Sequence, residues 1–570
     1  MRRGGKILTT QVEIPAEELA EGPWGYRVHI IDYDASSDTL YKPIRYPPPT
    51  ATEYKDPFAE TDDAALLADP RFHAQNVYAI VMRTLARFEQ ALGRRISWGF
   101  YGHQLKVAPH AFGDANAFYS EHDQSLLFGY FPGRRGTVFT CLSHDIVVHE
   151  TTHALVDGLR PRFTDPSSED QAAFHEGFAD VVALLSVFSL RDVVAEVLRG
   201  RRLRGRNVIA RSELTPPKLR KSVLFGLADE MGSELSLVRG QPLRQSAMLE
   251  PSPEHLTKAE FALPHRRGEL LVAAMMNAFI EVWSARLEDL GVVAGGGLDL
   301  DRVVEDGADA ADYLLTMSVR ALDYTPPVHI RFGDFVTALL TADYELRPDD
   351  SRYGYREHLR RSFKAYGIYP ATWGRSTRSK SASSRRWRRK TFRKLPEPGL
   401  WDPCNSLAFT QDRTHFEPMM RDPDEVFRFI WENRAALRLY EDAYSRVLSV
   451  RPCLRVGPDG FALHETVAEF IQILTLQARE LKALRIAVPP GMPPSTEVTL
   501  YGGGTCIFDE YGRLKFYIHN SLDRPERQGA RLAHLWASGV FDPDRRGVAS
   551  FADLHRARAA GTMTDPREEW

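Results

Sequence analysis

The chain has 570 residues, 43% of them hydrophobic and 26% charged, and 73 lysines and arginines nearly balance 76 aspartates and glutamates to give a formal net charge of −3. This composition is typical of a soluble globular protein with more than one domain, and it excludes collagenous and mostly disordered chains as well as a dedicated nucleic-acid binder, which carries a large positive excess. No apolar stretch approaches the roughly 18 residues of a membrane span, and the four scattered cysteines indicate no disulfide framework.

The first 370 residues show strand-like patterns followed by helical ones. Residues 1–70 are irregular, because prolines and an acidic cluster interrupt any long helix. Apolar residues recur at helical spacing from Phe72 until Gly93 ends the run. The segments 117–119 and 125–130 are predicted to be the two strands of a hairpin. Further helices are predicted over 137–158, 167–190, 266–288 and 308–322. Strands that precede helices indicate an α+β fold.

A basic segment, residues 375–394, separates the two halves of the chain. Ten of its twenty residues are lysine or arginine and none is acidic, which is typical of a solvated linker. Because Trp387 and Phe392 could stack on bases, this segment is also the only candidate for nucleic-acid binding. Beyond it, amphipathic helices are predicted over 422–450 and 463–485, and strands over 498–501 and 513–518. The predicted organisation is an N-terminal extension (1–70), a main domain (71–370), a basic linker (371–395) and a smaller α+β C-terminal domain (396–570).

One motif carries chemistry: residues 149–153 read His-Glu-Thr-Thr-His. Residues four apart lie on one face of a helix, so His149 and His153 can bind the same metal ion. Glu150 then stands beside the ion, where a general base acts on a metal-activated water. The ordinary alternative is two solvated histidines on a surface helix. Apolar residues flank the motif on both sides, however, and buried polar groups need partners.

The next predicted helix supplies a third ligand and a supporting group. Catalytic zinc sites use three protein ligands and keep one position for water. Glu176 is the candidate third ligand, and Asp180, on the same helix face, is placed to accept the outer N–H of a ligand histidine. Asp157, four residues beyond His153, is a further candidate for that supporting role. Acids favoured by the dipole of a helix N-terminus are the alternative explanation.

This series of motifs resembles the thermolysin-like zinc metallopeptidases, the gluzincin group. The family shares His-Glu-x-x-His, a His-Ala-x-x-Asp continuation that Asp157 matches, and Glu-x-x-x-Asp on a later helix. The connecting segment, residues 154–175, is slightly longer here than is usual in the family. The resemblance implies a two-lobed fold, with a β-rich N-terminal lobe, a helical C-terminal lobe and the zinc helix in the cleft. The acidic cluster that binds paired calcium ions in the family is missing, so calcium dependence is not implied.

The resemblance also implies roles for residues outside these two helices. The run Asn116-Ala117-Phe118-Tyr119 is similar to the family's edge strand, which implies that Asn116 and the backbone of Ala117 pair with an extended substrate. His265, at the start of a predicted helix, would stabilise the oxyanion of the tetrahedral intermediate. Glu260 stands where the family has the aspartate that supports this histidine.

Together these residues predict a zinc-dependent endopeptidase. Zn²⁺ held by His149, His153 and Glu176 would activate water and polarise the scissile carbonyl. Glu150 would take a proton from the water and deliver it to the leaving amine. Two other functions stay open: a metal-bearing but catalytically slow protein that binds peptides, and an interaction scaffold that acts through its C-terminal domain.

The expected partners and location follow from the same features. We expect a peptide or protein substrate, no membrane and no nucleic-acid partner, and the C-terminal domain is free to dock a partner of unknown kind. Residues 1–6 include three basic side chains, but no apolar run follows them, so no secretory signal peptide is visible. The expected location is therefore the cytoplasm, with non-classical export left open.

Overall fold

The computed structural model of the chain describes residues 2–3, 6–7, 9–46, 56–100, 102–133, 136–165, 167–203, 207–221, 249–293, 296–371, 397–404, 420–457, 459–522 and 524–541. The basic segment 375–394 lies outside these residues. Helices and strands are both abundant, as an α+β fold requires, whereas the two-lobed arrangement stays a prediction.

The strands, in chain order, are β1 (Arg2–Arg3), β2 (Lys6–Ile7), β3 (Val28–Ile30), β4 (Tyr33–Asp34), β5 (Thr39–Leu40), β6 (Leu105–Phe112), β7 (Ala117–Ser120), β8 (Ser125–Gly133), β9 (Gly136–Phe139), β10 (Val208–Ala210), β11 (Gly297–Asp299), β12 (Tyr444–Val456), β13 (Ala462–Gln477), β14 (Glu497–Asp509) and β15 (Leu514–Asn520). The helices are α1 (Asp63–Ala68), α2 (Pro70–Leu92), α3 (His144–Leu159), α4 (Glu169–Phe188), α5 (Arg191–Leu198), α6 (Pro264–Glu288), α7 (Leu300–Ala321), α8 (Phe332–Leu346), α9 (Tyr355–Ala365), α10 (Pro423–Glu432) and α11 (Pro525–Ala537).

The first sheet has the strand order β3-β6-β8-β7, and β9 also pairs with β8. β6 runs parallel to both of its neighbours, and the predicted hairpin is confirmed as the antiparallel pair β7–β8, in which Ala117 lies opposite Phe128. β7 is thus the last strand of this sheet, and α3 packs beside it. β3 belongs to the first 70 residues, so the segment predicted as an extension contributes a strand to this sheet.

Local signals define the helices that frame the site. α2 begins with Pro70 after Asp69, whose side chain accepts the backbone N–H of Arg71, and it ends at Gly93 in the left-handed conformation. The helix predicted from residue 137 begins only at His144, because residues 136–139 pair with β8 as strand β9. α3 packs on α4, and α4 packs on α6.

The C-terminal sheet, β12-β13-β14-β15, is antiparallel throughout and corrects two helix predictions. Most of the segment 463–485 is strand β13, and the segment 422–450 is helical only in α10 before β12 begins. The strands predicted over 498–501 and 513–518 are confirmed as parts of β14 and β15.

Buried polar residues explain the error over 463–485. Glu465, Glu469 and Gln472 recur at nearly helical spacing, which favours a helix with one polar face. In the structure all three are buried: the two glutamates contact arginines, and Gln472 accepts the backbone N–H of Tyr440. Some of these partners are far away in the chain, such as Arg160 for Glu469 and Tyr324 for Glu465, so the local pattern could not reveal a strand.

A buried ionic network joins the C-terminal sheet to the first 370 residues. Arg455 Nη2 of β12 lies 2.5 Å from Asp323 Oδ2, and Arg94 also binds Asp323 at 2.5 Å. Arg160, at the end of α3, contacts Glu469 of β13. All of these side chains are at most 6% exposed. The C-terminal sheet therefore contacts the residues that follow the C-terminal ends of α2, α3 and α7.

Among the described residues, one helix is long and apolar enough to cross a membrane by length and composition alone. This helix is α6, and 72% of its apolar window is buried inside the fold. It packs against α4 and α9.

Two glycines lie where α4 and α6 cross. A Cβ atom added to Gly268 would lie 3.0 Å from the amide nitrogen of Gly177 and 3.1 Å from the carbonyl oxygen of Ala173. The two backbones are therefore in contact beside Glu176, and a methyl group on Gly268 would fit only if they moved apart by a few tenths of an ångström.

A Gly268→Ala variant is expected to unfold more easily, by about 1–3 kcal/mol, because the added methyl group forces α4 and α6 apart. The measurement is urea unfolding followed by circular dichroism. Gly200→Ala is the matched control, since a Cβ there meets nothing within 4 Å, and we expect a change below about 0.5 kcal/mol. Equal stability of the two variants would contradict the close helix crossing.

Candidate metal centre

The predicted ligands converge between α3 and α4. Nε2 of His149 lies 2.9 Å from Nε2 of His153, and the Glu176 carboxylate lies 3.7 Å from the first nitrogen and 3.9 Å from the second. All three side chains are buried. The helical spacing of the two histidines and the packing of α4 on α3 thus bring three ligand atoms to one point.

This donor set fits a zinc ion. Nδ1 of His149 lies 2.7 Å from Asp180 Oδ1 and donates its proton to that carboxylate, so Nε2 turns its lone pair inward. That lone pair faces His153 Nε2 and the negative carboxylate of Glu176. Electron-rich atoms this close need a cation between them, and two imidazoles with one carboxylate are a ligand set that catalytic zinc uses.

Negative groups around His149 favour positive charge at this point. Burial opposes a charge on the ring, but Asp180, helped by Glu150 and Glu176, outweighs burial and raises the pKa of His149 to about 9. The same carboxylates that stabilise a proton here also stabilise a metal cation.

Asp157 does not take the supporting role predicted for it. Its Oδ2 accepts a hydrogen bond from the hydroxyl of Tyr119 at 3.0 Å, so its side chain is turned towards β7. Burial, together with the charge of Glu121, raises the pKa of Asp157 to about 7. The outer nitrogen of His153, Nδ1, lies instead 2.7 Å from Nδ1 of His175.

His175 is the residue that sequence reasoning missed. The centroid of its ring lies 4.9 Å from that of His153, and the two ring planes are 25° apart. Burial, which outweighs the nearby charge of Glu176, lowers the pKa of His175 to about 4, so the ring is neutral near pH 7. A neutral imidazole can accept the Nδ1–H of His153 as Asp180 accepts that of His149. In the sequence, its position directly before Glu176 was the feature that could have indicated this role.

A His175→Ala variant is expected to bind zinc about 10- to 100-fold more weakly, because His153 loses the group that fixes its orientation. The measurement is a competition titration with a chromophoric chelator. His144→Ala is the matched control, since His144 is a partly buried histidine of α3 that contacts Ser186 instead of the ligand group. If both variants bound zinc as tightly as the parent, His175 would have no positioning role.

Glu150 is fully buried beside the ligand group. Its Oε2 accepts the backbone N–H of Tyr119 at 3.1 Å, so β7 holds the carboxylate in place. Glu150 is thereby fixed between the ligand group and the end strand of the sheet.

The outer edge of β7 faces the same region. The Tyr119 N–H points away from β8 towards Glu150, and residues two apart in a strand point the same way, so the Ala117 N–H lies on that edge too. There it donates to Oδ1 of Asn116 at 2.8 Å. Pairing of Asn116 and Ala117 with an extended substrate stays a prediction, and it requires the Asn116 side chain to release this N–H.

His265 lies at the rim of the ligand group. Its Nδ1 is 3.0 Å from Oε2 of Glu176, and its side chain is 37% exposed at the start of α6. Glu260 forms an ion pair with Arg266 at 3.7 Å and is 54% exposed. The structure therefore brings His265 to the site, whereas its support by Glu260 stays a prediction.

Comparisons with known proteins add no family to this description. No protein-family model matches the chain, and no curated protein matches it. The function of the protein is therefore inferred from the side chains at this site.

Proposed function

We propose that this protein is a zinc-dependent endopeptidase. The supporting observation is the convergence of His149, His153 and Glu176 on one buried point, with Glu150 directly beside it. A buried group of this kind needs a cation, and a fixed carboxylate next to that cation is the arrangement that hydrolysis by an activated water requires.

Each side chain has a distinct part in the proposed reaction. When bound by His149, His153 and Glu176, zinc would supply an activated water and polarise the scissile carbonyl. Glu150, held by the backbone of β7, takes a proton from the attacking water and delivers it to the leaving amine. His265, partly exposed at the rim, donates a hydrogen bond to the carbonyl oxygen as that oxygen gains negative charge.

The test is cleavage of a generic peptide library, followed by mass spectrometry. We expect cleavage by the purified protein, loss of cleavage after chelation and dialysis, and recovery on addition of zinc. Retained zinc with no cleavage of any peptide would overturn the peptidase and favour the peptide-binding alternative. Cleavage that chelation leaves unchanged would overturn the role of the metal.

A further inference from the structure

A second group of metal-ligand side chains lies apart from the first. His73 comes from α2, His110 from β6 and Cys141 from the turn that directly precedes α3. Their ligand atoms all lie within 4.8 Å of one another, and each residue is at most 1% exposed. The proposed peptidase reaction uses none of them.

The two histidines turn their lone pairs towards each other. Nε2 of His73 lies 3.0 Å from the carbonyl oxygen of Leu67, which can only accept, so this nitrogen carries the ring proton. Nδ1 of His110 lies 2.8 Å from Oδ2 of Asp32 and donates to it in the same way. The inner nitrogens, His73 Nδ1 and His110 Nε2, are only 2.8 Å apart. Two lone pairs at this distance repel unless a proton or a metal ion lies between them.

This geometry repeats that of the candidate metal centre. There the inner nitrogens of His149 and His153 are 2.9 Å apart, and a carboxylate also holds one outer N–H. Here Asp32 accepts the outer N–H of His110, and the thiol of Cys141 takes the place of the Glu176 carboxylate as the third ligand.

We propose that His73, His110 and Cys141 bind a second metal ion, of the class that imidazole and thiolate ligands select, which is zinc or copper. Calcium and magnesium are excluded, because they require oxygen ligands. On binding, Cys141 loses its thiol proton to solvent and coordinates as the thiolate.

Other parts of the fold enclose the proposed site. Aromatic rings pack around His110, those of Tyr41, Tyr130 and Phe139. Asn76 of α2 also donates to the carbonyl oxygen of Cys141 at 3.0 Å, so α2 and this turn are already joined by a hydrogen bond. An ion bound here would join α2, β6 and the turn that precedes the helix carrying His149.

The experiment measures bound zinc and copper by elemental analysis of the purified full-length protein. We expect about two metal equivalents per chain, one at each site. Cys141→Ser and His110→Gln should each retain about one equivalent, and the double variant His149→Ala/His153→Ala should also retain about one. Cys506→Ser is the matched control, because Cys506 is equally buried and belongs to no ligand group among the described residues, and it should retain about two.

A cobalt-substituted wild-type sample tests the ligand type without relying on a variant that could fail to fold. We expect a near-ultraviolet sulfur-to-cobalt charge-transfer band, since the candidate peptidase site contains no thiolate. A wild-type protein that holds a single equivalent and shows no such band would overturn the second site, and the His73–His110 contact would then be a proton-sharing pair. That result would not contradict the peptidase proposal. Conversely, a protein without peptidase activity that holds two metal equivalents and shows the band would contradict only the peptidase proposal.

Discussion

A Glu150→Gln variant is expected to retain its zinc and to lose peptide hydrolysis by roughly 100- to 10,000-fold, the usual contribution of a general base. The amide oxygen of glutamine can still accept the backbone N–H of Tyr119, so the shape of the site should survive. The amide cannot take a proton from water at neutral pH, however. The measurement is the initial rate of library cleavage, with metal content determined on the same sample.

The control for this variant is Glu121→Gln. Glu121 is an exposed carboxylate that directly follows strand β7. Its replacement by glutamine removes one negative charge, as Glu150→Gln does, without changing a residue of the ligand group. We expect its rate to equal that of the parent. A Glu150→Gln protein that keeps its zinc and hydrolyses peptides at the parent rate would contradict the assigned base.

An Arg160→Met variant is expected to be less stable by about 3–5 kcal/mol, because it leaves the Glu469 carboxylate buried without its cation. Arg160 ends α3 and contacts Glu469 of the C-terminal sheet, and its Nε donates to the carbonyl oxygen of Leu322 at 3.0 Å. Both charged side chains are at most 3% exposed. The measurement is urea unfolding at neutral pH.

A double variant separates the lost ion pair from other effects. Arg160→Met/Glu469→Leu removes both charges and should recover most of the lost stability, since a buried pair replaced by apolar groups is often nearly neutral. Arg302→Ala, which breaks an exposed pair with Glu305, is the control and should cost less than about 1 kcal/mol. If the double variant were as unstable as Arg160→Met, the buried charge would not be the cause.

The parts of the site that depend on local spacing could be predicted from the sequence. His149 and His153 share a helix face whatever the rest of the chain does. Asp180 lies four residues after Glu176 on α4, so the same periodicity predicts that both carboxylates face the ligand histidines. The hairpin β7–β8 was also predictable, because its strands are adjacent in the chain.

The remaining parts depend on contacts that no local pattern encodes. β13 has a helix-like polar pattern, but it pairs with β12 and β14, and Glu469 of this strand meets Arg160, which is far away in the chain. His73, His110 and Cys141 come from three separate elements, so their spacing in the sequence carries no ligand motif. Asp157 lies four residues beyond His153, as a supporting acid should, yet its side chain is turned to Tyr119. His175, from the next helix, lies beside the outer nitrogen of His153 instead.

The most direct test of the central claim is a crystal structure of the wild-type protein with diffraction data collected on both sides of the zinc absorption edge. We expect an anomalous peak within bonding distance of Nε2 of His149, Nε2 of His153 and the carboxylate of Glu176, with Glu150 beside it and outside bonding distance. An anomalous map without a peak at this point, from crystals grown with zinc present, would contradict it.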